Sequence, residues 1–331
     1  MTTYEVVGKP VTRQEGPDKV SGNFQYSADV TLPGMIWGKV LRSPFPHAKL
    51  VKIDASKALA MPGVHAVITG QDTLGMRIGR SVRDVPLLAE GEVRFVGEKV
   101  AAVAADDPDL AEEALLMIDV EYEPLPAVFD PVEAMEPGAP HVHAGSPVFE
   151  STSGPVQPQG NILNHSTWSS GDVEQGFSES DQIFEHTFST TWVHQGYMEP
   201  YSCVVDIDDA GRVQVWANNK VPYTLRRQLA DALGLSEDQI LVNPCGIGGD
   251  FGGKSPAMNV PLAYFLSRSS GRPVKMIMSY IEELVAGNPR HPSVITIKTG
   301  VKNDGTFVAR ESRVVYNGGA YCGFRGRPGL A

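Results

Sequence analysis

The chain has 331 residues, 42% of them apolar and 20% charged, which is material for about two domains with buried cores. Its 28 basic and 39 acidic residues leave a net charge of −11 with no Lys- or Arg-rich run, which argues against nucleic-acid binding through neutralised phosphates. No apolar run approaches the ~18 residues of a membrane helix, and the start, Met1-Thr-Thr-Tyr-Glu5, lacks a secretory layout. The three cysteines, Cys203, Cys245 and Cys322, stand too far apart for a local metal or redox pair or an iron–sulfur set, so a reducing cytoplasm is the expected compartment.

Residues 1–135 read as one α/β unit. After a polar, turn-rich stretch from Gly8 to Gly22, strands are expected at Met35–Arg42, Leu50–Asp54, Val64–Thr69 and Lys99–Ala104. Ser56–Met61 has a short helical pattern that Pro62-Gly63 stops. Asp107-Pro108 opens a clearer helix, with the aspartate as cap and the proline at the first position, where no N–H is needed. Asp119–Tyr122 is the next strand. Residues 136–180, rich in Pro, Gly and Ser without sustained periodicity, read as a linker.

Residues 181–331 form a second unit. Strands are expected at Phe184–Thr191, Ser202–Ile207 and Val213–Ala217, and a helix over Pro222–Leu233 that Gly234 ends. An apolar run, Gln239–Val242, then leads into Asn243-Pro-Cys-Gly-Ile-Gly-Gly-Asp-Phe-Gly-Gly-Lys-Ser255, and a helical pattern, Ala257–Arg268, leads out. Val274–Met278 reads as a buried strand, and Val294–Val301 with Thr306–Tyr316 as a hairpin around Asn303-Asp-Gly305. The sequence closes with Asn317-Gly-Gly-Ala-Tyr321 and a Gly- and Pro-rich tail to Ala331, which reads as a domain cut before completion. The fold class is therefore α+β.

The glycine stretch is the chemical centre of this reading. A strand–glycine loop–helix layout aims backbone N–H groups and a helix dipole at one point, which suits an anion. Gly248–Ser255 fits G-x-x-x-x-G-K-[ST], the phosphate-cradling P-loop, and a P-loop nucleotide hydrolase is one candidate. Against it, Pro256 directly follows the Lys-Ser pair, and no later apolar strand ends in the aspartate that a magnesium site needs.

The same loop resembles the G-G-x-F-G-G-K segment of the xanthine dehydrogenase/aldehyde oxidase family of molybdenum hydroxylases. Further motifs resemble that family in order: Lys19-Val-Ser-Gly-Asn-Phe-Gln-Tyr-Ser-Ala-Asp29, Arg42-Ser-Pro-Phe-Pro-His-Ala48, Pro62-Gly-Val-His-Ala-Val67, Val96-Gly-Glu-Lys-Val-Ala-Ala-Val103, Glu121-Tyr-Glu-Pro-Leu-Pro126, His194-Gln-Gly-Tyr-Met-Glu-Pro200 and Asn317-Gly-Gly-Ala-Tyr321. The resemblance implies an N-terminal hammerhead-like α/β domain followed by the first part of a mixed α+β molybdopterin-binding domain.

It also implies a molybdenum cofactor, molybdopterin, against the loop at Gly249, Asp250, Phe251 and Gly252, with Phe251 walling a substrate channel. Glycine suits a backbone that approaches a ligand closely, and N–H donors suit oxo groups. Members with a cofactor-bonding glutamine place it where this chain has Val193, which makes Gln195 the candidate substitute. Glu199 is expected to be a structural acceptor. Ser255 stands where purine-oxidising members place a substrate-gripping glutamate, which points away from xanthine.

The implied activity is hydroxylation of an aldehyde or N-heterocycle with oxygen from water, electrons leaving through iron–sulfur clusters and FAD on partner subunits. The motifs span less than half of a full molybdenum subunit of this family. The general base and the rest of the molybdopterin domain are therefore expected on another chain, and a non-catalytic scaffold subunit is a further candidate. A small-molecule substrate is expected, with no nucleic-acid or membrane partner.

Overall fold

The computed structural model describes residues 4–145 and 147–323; the Phe324-Arg-Gly-Arg327 part of the tail lies outside them. In chain order the main strands are β1 (Ile36–Arg42), β2 (Ala48–Asp54), β3 (Val64–Thr69), β4 (Glu92–Val93), β5 (Lys99–Ala105), β6 (Asp119–Pro124), β7 (Gln182–Thr190), β8 (Ser202–Ile207), β9 (Val213–Ala217), β10 (Ile240–Asn243), β11 (Val274–Ile277), β12 (Ser293–Val301) and β13 (Phe307–Tyr316). The longer helices are α1 (Pro108–Leu116), α2 (Pro222–Leu233) and α3 (Val260–Ser270), followed by the shorter α4 (Tyr280–Ala286).

Seven strands form one sheet in the order β10-β9-β8-β11-β1-β5-β3. The join between the two sequence units is β1 against β11, parallel, with Ile36 opposite Val274 and Gly38 opposite Met276. Gly38 makes that approach possible, because a Cβ there would lie 2.8 Å from Met276 Cγ and 3.1 Å from Leu266 Cδ1. β5 is a run of small apolar residues because it is covered on both faces: Ala102 and Ala104 join the main core, and Ala101 and Val103 pack with Ala58, Ala114 and Ile118 under α1.

The helices follow their end signals. Asp107 caps α1 by accepting from Leu110 N at 2.9 Å. Gly234 (φ 67°) ends α2 in the left-handed region, where glycine has no Cβ to clash. α3 is buried from Val260 to Ser267, with Leu262, Phe265 and Leu266 in the main core. Each fully buried leucine there contributes about 2 kcal/mol.

Two three-stranded sheets flank this body. β4-β2-β6 completes the N-terminal unit, and β7-β12-β13 forms an antiparallel ribbon in the C-terminal one. Residues 136–180 carry the two-residue strand Glu150–Ser151 and the short helix Val173–Ser178, whose Gly176 sits against the Val308 carbonyl of β13.

Candidate functional site

β10 runs parallel to β9 and delivers the chain into the glycine loop at the sheet's end. The loop entry is held by the N-terminal motif: Gly246 N donates to Gln25 O at 2.8 Å, and the Phe24 and Tyr26 rings occupy the space a side chain at 246 would need. The two stretches, far apart in sequence, therefore build one surface.

Asp250 shapes the turn. Its carboxylate accepts from Gly252 N at 3.0 Å and Lys254 N at 2.5 Å, and pairs with Lys220 Nζ at 2.8 Å. Burial pushes this carboxyl up, but the Lys220 contact and the two N–H donors outweigh it and hold it below the usual carboxylate range. Gly249 and Gly252 lie at φ 99° and 96°, and Phe251 at 44°, so the peptide planes flip through the turn. Phe251 is 64% exposed and belongs to no core cluster.

Lys254 is placed opposite to what a P-loop requires. Its side chain is fully buried, its Nζ lies 2.5 Å from Glu199 Oε2 and it sits over the Tyr197 ring at 4.7 Å. Gly248 N donates to the same Glu199 oxygen at 2.7 Å. The negative charge that this lysine meets is thus an internal carboxylate. The following helix begins only at Val260, beyond Ser255-Pro-Ala-Met-Asn259, so its N-terminus does not cap the loop. Both points correct the nucleotide-cradle expectation: the loop has its own donors but neither an outward lysine nor an abutting helix.

What the loop does present is a row of free donors. Among the described residues, the backbone N–H groups of Gly249, Asp250 and Phe251 donate to nothing within the chain. Against Gly253 of the same loop, Gln195 donates through Nε2 to Asn288 O at 2.6 Å, while its Oε1 is buried without a donor. That oxygen lies 3.1 Å from where a Cβ on Gly253 would stand. Glu199 Oε1 is likewise buried and unpartnered. Unsatisfied buried acceptors next to unsatisfied donors are the mark of a site built for a polar guest.

A second layer holds this arrangement. Glu283 on α4 is 1% exposed and accepts from Tyr197 OH at 2.7 Å and from Tyr201 N. Tyr201 OH donates to Gly253 O, and Tyr280 OH to Tyr197 O. Burial is the main cause that pushes both the Tyr197 and Tyr201 hydroxyls above their ordinary range, so they stay protonated donors. His194 Nδ1 accepts from Gly196 N at 3.1 Å, which puts the ring proton on Nε2, 3.7 Å from Glu283 Oε2. Arg290 Nη2 donates to Phe251 O at 2.6 Å.

The structure therefore brings together Gly249, Asp250, Phe251, Gly252 and Gln195. Asp250 offers its N–H there, while its carboxylate is engaged within the loop. Sequence reading missed Tyr197, Lys220, Glu283 and Arg290. Ser279-Tyr-Ile-Glu282 is a capping box, with Ser279 accepting from Glu282 N at 3.2 Å, and it would have announced α4 and hence Glu283. Elsewhere, Arg226 pairs with Glu237, and His143 bonds Ala320 O at 2.7 Å. Cys245 Sγ contacts Ala217 O, with its thiol pushed up to about 11 by burial.

These residues fit a molybdopterin group: donors for oxo groups, an acceptor on Gln195, and a glycine surface for close approach. The family description "Molybdopterin cofactor-binding domain" matches residues 156–327, and "Aldehyde oxidase and xanthine dehydrogenase, a/b hammerhead domain" matches residues 21–126. The chain is 32% identical over 322 residues to the nicotinate dehydrogenase large molybdopterin subunit of Eubacterium barkeri, covering 97% of this chain and 72% of that one. It is 39% identical to a probable xanthine dehydrogenase subunit of Bacillus subtilis, covering 96% of this chain and 41% of the relative. Its fold superposes on the CO dehydrogenase from Oligotropha carboxidovorans with a TM-score of 0.83 at 30% identity, covering 93% of this chain and 39% of that one. The chain thus spans about four-tenths of the length of the last two. It belongs to the xanthine dehydrogenase/aldehyde oxidase family of molybdenum hydroxylases, with that family's hammerhead domain and molybdopterin cofactor-binding domain.

Proposed function

We propose that this chain is the molybdenum-cofactor-binding component of an oxidoreductase that hydroxylates an aldehyde or N-heterocycle with oxygen from water. The observation that carries this is the row of free N–H groups at Gly249, Asp250 and Phe251 in a loop whose Gly253 lies against the buried, unpartnered Oε1 of Gln195. Molybdopterin, when bound there, supplies the two-electron oxidising chemistry. The chain's own part is to bind and orient. The loop N–H groups would hold acceptor oxygens of a bound group, Gln195 would accept a hydrogen bond, and the Lys254–Glu199 pair keeps the loop in register from beneath. Phe251 stands outward as a wall for a flat substrate.

In this reading the general base and the remaining wall come from a further chain, and iron–sulfur clusters and FAD on partner subunits take the electrons. The working compartment is the cytoplasm. Among the described residues, no helix is long and apolar enough to cross a membrane. The surface beside the loop supports a covering partner: Met198 is 87% exposed, and Ile281 and Leu284, one turn apart on α4, are 74% and 62% exposed.

The test is metal analysis of the protein purified from its native host with whatever accompanies it. Molybdenum near one atom per protomer is expected. Absence of molybdenum, with ATP-dependent thermal stabilisation that Lys254→Ala abolishes, would replace this reading with the nucleotide one.

A further inference from the structure

We infer that Arg290 and the N–H groups of Gly249, Asp250 and Phe251 form one oxyanion subsite, which takes a phosphate or carboxylate group of a bound molecule. This rests on the glycine loop being the binding site, as proposed above, and adds a residue and a ligand chemistry to it.

The position of Arg290 is fixed at both ends. Its backbone N donates to Val193 O at 2.8 Å, which ties it to the segment leading to Gln195. Its Nη2 donates to Phe251 O at 2.6 Å. The guanidinium lies flat against Gly252: a Cβ there would sit 2.9 Å from Nη1 and 3.2 Å from Nη2. Gly252 itself adopts a φ of 96°, the left-handed region that favours glycine.

The charge arithmetic favours an anion. Among the described residues no carboxylate lies within ion-pair distance of Arg290. Asp250, in the loop that Arg290 contacts, is already paired with Lys220. Lys254 and Glu199 cancel below the loop. The loop mouth therefore carries one uncompensated positive charge on a chain whose net charge is −11. A guanidinium has five N–H donors in a rigid fork, and among the described residues it makes one hydrogen bond, to Phe251 O. The rest of the fork and three backbone N–H groups point to a guest with several acceptor oxygens, which a phosphate or carboxylate provides. Exposed Phe251, in the same loop, supplies an apolar face for the rest of that molecule.

Two sources have this chemistry, a cofactor phosphate and a substrate carboxylate, and one experiment separates them. Inorganic phosphate and benzoate are titrated into the full chain by calorimetry at constant ionic strength, for wild type, Arg290→Gln, Arg290→Lys and the exposed charge control Arg227→Gln. Molybdenum and organic phosphate in the protein as purified are measured in parallel, and circular dichroism checks folding. Phosphate is expected to bind wild type and Arg227→Gln alike, about tenfold more weakly to Arg290→Gln, and with intermediate affinity to Arg290→Lys, which keeps the charge without the fork.

If Arg290→Gln also lowers bound organic phosphate, the subsite serves the cofactor; if that content holds while benzoate binding is lost, it serves a substrate. Either result supports the subsite. Failure of both anions to bind wild type, or equal binding by folded Arg290→Gln, overturns it. Should Arg290→Gln not fold, Arg290→Lys binding phosphate as well as wild type overturns it. Absence of molybdenum from wild type would sink the cofactor reading alone, since the phosphate titration decides the subsite independently.

Discussion

Replacing Lys254 with methionine separates the two chemistries that the glycine loop suggests. The lysine side chain is fully buried and its partner Glu199 is 14% exposed, with 2.5 Å between Nζ and Oε2. Methionine keeps the stem volume but leaves the Glu199 carboxylate facing only Gly248 N. Stranding one member of a buried pair costs about 3–5 kcal/mol. At about 1.4 °C per kcal/mol for a chain of this size, the melting temperature should fall by roughly 4–7 °C. Urea denaturation of the full chain gives the free energy directly. Adding Glu199→Gln to Lys254→Met should recover part of the loss, because the second change removes the stranded charge. A loss below about 1 kcal/mol in the single variant, or a wild-type chain that ATP stabilises through Lys254, would refute the internal-pair reasoning.

Three further outcomes follow from the same geometry. Gly253→Ala places a Cβ 2.7 Å from Tyr197 Cε1 and 3.1 Å from Gln195 Oε1, where the buried ring cannot yield. It should cost about 1–3 kcal/mol in denaturation and lower molybdenum content, and unchanged values for both would contradict the packing. Asp250→Asn should remove part of the stability lost on acidification: the wild-type carboxyl is held below its unfolded value, so its contribution is present above that value and fades as pH falls. Melting curves from pH 6 downward that coincide for the two proteins would count against the loop's dependence on this charge. Lys99, pushed down to about 8 by burial and then by Arg42, binds its proton less well folded than unfolded. Stability should therefore climb between pH about 8 and 10.5 by roughly 3 kcal/mol, and Lys99→Met should flatten that climb. A climb of the same size in the variant would assign it to other groups.

Local elements were legible where residues carry their own boundaries. Ser202–Ile207, Val213–Ala217 and Pro222–Leu233 match the expected spans because apolar runs meet Asp208-Asp-Ala-Gly211 and Gly234. The α+β class and the motifs of the N-terminal unit were legible for the same reason. Three features were not. The sheet order was hidden because β1 pairs with β11, and strand pairing depends on complementarity across distant segments, which periodicity does not record. The fate of Lys254 was hidden because its partner, Glu199, arrives from a different segment, and a lysine beside glycines reads as an outward phosphate ligand until that carboxylate is placed. Arg290 gave no local signal, since its relation to the loop depends on the bridge between Val193 and Arg290.

The pairing of Ile36 with Val274 also bears on how the molecule reaches its native state. A ribosome emitting about 5–20 residues per second completes β1, β3 and β5 well before β11 exists. During that interval the Ile36 edge has no neighbour, and the apolar face that α3 later covers stands open to water. Contacts of such sequence separation slow folding, because the entropy of closing the intervening chain is lost before the contacts reward it. The N-terminal unit should therefore be a poor candidate for independent expression, and aggregation at the exposed β1 edge is the expected hazard when synthesis stalls or the chain is cut between the two units.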